Sequence, residues 1–196
     1  MIRILTLTLA VLPLLASAQD TSPRNAYESR IETARHEYRK AISKQIRSAK
    51  SVELVLLRFD DVKKPDPFND DESRFPIAPY GATCGIISTK KLNADECKDL
   101  LLALADQIEK RSHTGGAFCH YPIHGIRIYT AAIDDAANSD TIYTGSFCWV
   151  CKNFGFAYPD SAEWLDTTSS LHDIFNKLLP IPDEELRRFK TQFKSK

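Results

Sequence analysis

Three cysteines and a histidine in the second half of the chain, Cys119-x4-His124 and Cys148-x2-Cys151, have the types and spacing of ligand or redox groups. One imidazole nitrogen and three thiolates would close a tetrahedral zinc site. Cys-x-x-Cys is also the redox dithiol motif, which thiol-disulfide enzymes place at a helix N-terminus so that the dipole stabilises the first thiolate. Here Cys151 is followed by Lys-Asn-Phe-Gly-Phe-Ala-Tyr-Pro, which has no helical period, so that activating context is missing. A Cys119 nucleophile with His120 or His124 as its base would need an orienting third group and an oxyanion hole, and neither is signalled. Neighbours on a strand point to opposite faces, which disfavours Cys119 with His120.

The cysteines also have a plain reading as structural bridges. Five of them, Cys84, Cys97, Cys119, Cys148 and Cys151, allow at most two disulfides in one chain. Cys84 with Cys97 would join a strand to a helix, and Cys119 with Cys148 or Cys151 would cross a hairpin. An unstrained bridge over a short loop contributes roughly 2–4 kcal/mol.

Compartment decides between these uses. Residues 1–18 carry Arg3, an apolar run from Ile4 to Leu15 and then Ala16-Ser17-Ala18, the pattern of a secretory signal peptide cleaved before Gln19. The run is too short to span a bilayer, and export to the periplasm or medium favours oxidised cysteines over zinc thiolates. The 26 basic and 26 acidic residues of the chain become 25 and 26 once Arg3 is removed. A balance so close to neutral gives no field to draw the protein to nucleic acid or anionic lipid.

The elements that must position these groups follow from periodicity. Residues 19–50 form a helical segment in which Tyr27, Ile31, Ala34, Tyr38, Ile42, Ile46 and Ala49 make one apolar stripe over 24–50. Its remaining faces carry basic residues, Arg39 among them, as a solvated surface or one for a protein partner. Ser51–Phe59 reads as a central strand. Residues 60–82 read as a long loop rich in proline and acids but without the EF-hand order of calcium ligands. Thr83–Thr89 is a second strand, and Asn93–Arg111 a helix with Asn93 and Glu96 in capping-box positions and Cys97 facing inward. Segments 117–130 and 141–150 make an antiparallel hairpin about the 136–139 turn, which would set His124 opposite residues 149–151. Stretches 168–179 and 183–194 complete the chain as two short helices.

Cys119-His-Tyr-Pro-Ile-His-Gly-Ile-Arg127 and Phe147-Cys-Trp-Val-Cys151 together resemble a pair of segments that recurs in uncharacterised bacterial proteins, a C-x2-P-x-H-G-[aliphatic]-R strand followed by a C-x2-C strand. The resemblance covers residues 117–151 and implies one structural unit without implying a chemistry. Cys148–Asn153 also resembles a zinc knuckle, in which two thiolates of a tight turn clasp the metal. The expectation is a single α+β domain over 51–196, mainly an antiparallel sheet packed by helices and preceded by the long N-terminal helix. Functionally the chain reads as an exported, soluble, non-catalytic binding or structural domain stabilised by disulfides and needing no cofactor. The alternatives are a zinc protein using Cys119, His124, Cys148 and Cys151, and a Cys148–Cys151 redox protein. A binding module would tolerate His124→Ala, whereas a zinc protein would not.

Overall fold

A computed structural model describes residues 23–64, 73–77, 81–110, 120–129, 141–158 and 161–194. The chain divides into two compact units, up to Arg35 and from His36 onward. Helix α1 (Pro23–Arg47) begins in the first unit, where Arg24 pairs with Glu28 one turn away and Tyr27 is exposed. The second unit holds the end of α1 and everything that follows.

That unit is an α+β fold built on one antiparallel sheet. Strand β1 (Ser51–Lys63) is central, β2 (Phe75–Ile77) and β3 (Ala82–Lys91) lie to one side, and β4 (His124–Tyr129), β5 (Thr141–Cys148), β6 (Asn153–Tyr158) and β7 (Ser161–Asp166) to the other, in the order β2-β3-β1-β4-β5-β6-β7. Helix α2 (Ala94–Glu109) follows β3, and α3 (Ser169–Leu178) and α4 (Asp183–Lys194) follow β7. No helix among the described residues is long and apolar enough to cross a membrane.

Strand register explains the two faces. Across β1, β4, β5, β6 and β7 the directly opposed residues form one row, Leu56, His124, Phe147, Phe154 and Leu165, and a second, Leu54, Ile126, Gly145, Phe156 and Glu163. These rows face the helices. Leu100, Leu101, Leu104 and Ile108 of α2, Leu171 and Phe175 of α3, and Ile42 and Ile46 of α1 close over them as the main core. Helix α4 continues the layer through Phe189, which packs on Leu56, Phe59 and Ile123. Because side chains alternate along a strand, the intervening rows face away. They run Val55, Gly125, Ser146, Gly155, Trp164 and, next to it, Glu53, Arg127, Thr144, Ala157, Ala162.

The sheet curls around this second face. Strand β2 folds back toward β5, and its Phe75 lies over Gly125 so closely that a Cβ there would meet the ring at 2.7 Å. Phe75 and Ile77 join Val55, Leu57 and Cys84 in a small core to which no helix contributes. The glycine is required by this close approach.

Several expectations are corrected. The 60–82 stretch is not all loop. Strand β1 runs on to Lys63 through a register irregularity after Arg58, and β2 pairs with β3. Of its acids, the two among the described residues are paired, Asp61 with Arg74 at 2.8 Å and Asp60 with Arg188 of α4. Asn153–Tyr158 and Ser161–Asp166, to which periodicity assigned no element, form β6 and β7. The helix at 93–111 spans Ala94–Glu109 with both capping-box bonds formed, Glu96 N–H to Asn93 Oδ1 and Asn93 N–H to Glu96 Oε2, each 3.0 Å. The apolar stripe of α1 is shifted: Arg39, Ile42, Ser43 and Ile46 are buried, while Tyr38 is exposed.

Candidate functional site

His124 stands opposite Phe147, not opposite residues 149–151. The pairing is offset by about one turn's worth of hairpin loop from the expected register, and the offset decides the fate of the Cys/His set. His124 and Phe147 point to the helices, so Cys148, the next residue after Phe147, points to the concave face. His124 is completely buried. The Trp149 indole Nε1–H donates to His124 Nδ1 at 2.8 Å, and an indole nitrogen can only donate. Nε2 therefore carries the proton and donates to the Leu179 carbonyl at 2.8 Å. Burial lowers the imidazole pKa to about 4, so the ring is neutral. In this arrangement both nitrogens are committed, and the ring packs edge-on to Trp149 and against Phe175. The expectation that a non-metal role would make His124 dispensable does not survive this burial.

The cysteines are equally dispersed. Cys84, Cys97, Cys148 and Cys151 are thiols. Cys84 belongs to the small core of the concave face, where Sγ donates to the Arg58 carbonyl at 2.9 Å and burial pushes its pKa up to about 12. Cys97 belongs to the helix-side core, and its thiol is likewise raised by burial. The sheet lies between them, which rules out the proposed Cys84–Cys97 bridge. Cys148 is buried in the concave face and Cys151 is half-buried in the turn between β5 and β6. Cys119 lies outside the described residues, so its bridge to Cys148 or Cys151, and its place in a zinc set, are not described. Among the described residues no three His, Cys, Asp or Glu side chains converge as a metal site would require.

The histidine that shares a face with Cys148 is His120. It approaches the concave face just before β4, and its ring lies edge-on to Trp164 with centroids 4.5 Å apart. Nε2 is 2.9 Å from Ser146 Oγ and Nδ1 is 3.2 Å from Asn153 Oδ1. The consistent assignment has Nδ1–H donating to Asn153 and Ser146 O–H donating to Nε2. Burial holds this imidazole too at a pKa of about 4. Serine, imidazole and amide stand in the order of a nucleophile, its base and an orienting group. Ser146 is nevertheless fully buried, as Asn153 nearly is, so no reactant reaches Oγ. The trio closes a polar gap that Gly125 and Gly155, flanking Ser146 in its row, would otherwise leave.

Beyond the trio the concave face is half open. Arg127 and Glu53, directly opposed across β4 and β1, form an ion pair of 2.7 Å, and the guanidinium lies 5.1 Å over the Phe75 ring. Thr144, Ala157 and Ala162 continue the same row toward the β7 edge, all partly exposed, beside the partly exposed Trp164 and His120. The face thus combines small residues, two aromatic rings and polar groups whose charges cancel. Sequence reasoning weighed His120 only as a base for Cys119, and missed Ser146, Asn153 and Trp164. The alternation of Phe154 and Phe156 carried the missing signal, since it marks β6 and places Asn153 and Gly155 on the other face. Comparison with family models, curated proteins and solved structures finds no match to this chain.

Proposed function

We propose that this protein is an exported, non-catalytic binding domain that takes its ligand on the concave face of the curled sheet. One observation carries the reading: the row Glu53, Arg127, Thr144, Ala157, Ala162 and the adjoining Trp164 and His120 stay partly open, while Glu53 and Arg127 pair with each other and the His120 imidazole is neutral. Such a surface can recognise by shape, stacking and hydrogen bonds, and it offers no activated nucleophile or base. The charge-compensated floor favours an uncharged polar ligand over an ion. The sheet and its helix-side core supply the stability that the expected disulfides would have supplemented. Export rests on the residue 1–18 pattern, and N-terminal sequencing of the secreted product should begin at Gln19.

A fluorophosphonate probe tests the non-catalytic part of the proposal, because it labels serines activated by a neighbouring imidazole. The expected result is no labelling of Ser146 in the native mature protein. Labelling at Ser146 that disappears in His120→Gln would replace the binding reading with an acyl-transfer enzyme.

A further inference from the structure

Helix α1 has two faces of different fate. Toward its C-terminal end Arg39, Ile42, Ser43 and Ile46 are buried, the two isoleucines in the main core. From Pro23 to Tyr38 every residue is exposed except the half-buried Ile31. An exposed helix of that length is marginal in water, because most helical stability comes from packing an amphipathic face. Tyr27, Ile31, Ala34 and Tyr38 make such a face, with Tyr27 65% and Tyr38 39% exposed. Their spacing of four, three and four is that of alternating d and a positions of a heptad. This stripe lies about a quarter turn around the helix from the buried face.

The charges beside the stripe indicate what covers it. Glu28 and Arg35 flank it on one side, in e positions, and Arg30 and Glu37 on the other, in g positions. Arg30, Arg35 and Glu37 have no ionic partner among the described residues, and Glu28 uses only Oε1, on Arg24. Two copies of the helix laid antiparallel about a two-fold axis set Tyr27 against the second copy's Tyr38 and Ile31 against its Ala34, and the symmetry repeats each layer. In that register g faces g and e faces e. Arg30 then meets Glu37, and Glu28 meets Arg35, so every flanking pair is attractive. A parallel pair brings g against the e position five residues on, which opposes Arg30 to Arg35 twice. Charges at these positions set the orientation of paired helices, and here they select the antiparallel one.

We propose that the mature protein associates with a second copy of itself through an antiparallel pair of α1 helices, in the register that joins Arg30 to Glu37 and Glu28 to Arg35. The seam is short, so a reversible dimer is expected rather than an obligate one. Sedimentation equilibrium from micromolar to near-millimolar protein measures it. The wild type is expected to dimerise, and Ile31→Glu, which puts a carboxylate in the seam, to remain monomeric. Arg30→Glu sets like charges against Glu37 at two places and is expected to weaken association about tenfold. Adding Glu37→Arg reverses the pair instead of breaking it and should restore the dimer. These side chains are exposed or half-buried, so the variants are expected to fold, and the charge swap tests the register independently of Ile31→Glu. A wild type that stays monomeric throughout, which would leave the stripe to a different partner, would overturn the proposal. So would a dimer that Ile31→Glu retains, one that Arg30→Glu strengthens as a parallel pair requires, or one that Glu37→Arg fails to restore.

Discussion

His124 shows how far a residue's role depends on its neighbours. An imidazole among Leu56, Phe147, Phe154 and Leu165 is tolerated because each nitrogen has a partner, Trp149 on one side and the Leu179 carbonyl on the other. Replacing it with alanine leaves a buried indole N–H and a carbonyl unsatisfied and opens a cavity, so His124→Ala should cost about 2–4 kcal/mol in urea unfolding. A loss below half of the lower figure would mean that the ring is not the bridge between β5 and the end of α3. His124 and the partly exposed His120 also couple folding to pH. Their folded pKa values of about 4 lie below the ordinary 6.5 because burial disfavours the cation. Between those values the unfolded chain binds protons that the native chain refuses, so stability is complete above the unfolded value and falls as pH drops toward 4. The slope approaches about 1.4 kcal/mol per pH unit for each histidine. Urea midpoints taken from pH 7 to 5 should fall accordingly, and His124→Gln should flatten the dependence; a profile unchanged by that substitution would remove His124 from the linkage.

At the scale of elements, the sheet's curl rests on β2, a three-residue strand held by Phe75 over Gly125. Gly125→Ala forces a methyl group into an aromatic ring, and a loss of about 1–3 kcal/mol is expected. Phe75→Leu should be destabilising alone yet recover part of the Gly125→Ala loss when the two are combined, and strict additivity in that double-mutant cycle would deny the contact. The helices were legible in the sequence because their signals are local: the Asn93 and Glu96 capping box, and the three-and-four spacing of Leu101, Leu104 and Ile108. The first strands were legible for the same reason. Strand β2 and the pair β6 and β7 were not, because a short edge strand and a run such as Asn-Phe-Gly-Phe-Ala acquire their meaning from the strand beside them. Arg39 misled for a related reason. Helical spacing places it one position from the Tyr38 stripe, and only the packing of α1 on α2 decides which of the two faces inward.

For the whole molecule, one shift in hairpin register separates the motif from the structure. The expected register gathered Cys119, His124, Cys148 and Cys151 into a centre; the observed one sends His124 to the helix-side core and Cys148 to the concave face. The fold class was thus readable, while the site was not, because a β-sheet sorts alternate residues to opposite sides and periodicity alone cannot fix the pairing. What the sheet assembles is a partly open face of small, aromatic and charge-compensated residues around Thr144. The most direct test is the native mass of the mature protein isolated from the exported fraction of the cells that make it, compared with Thr144→Arg, which fills that face from a partly exposed position. A bound uncharged ligand that adds mass to the wild type and is missing from Thr144→Arg, at unchanged melting temperature, is the result predicted. The same added mass on both proteins, or a zinc ion retained by the wild type and lost from Cys148→Ser, would contradict the account.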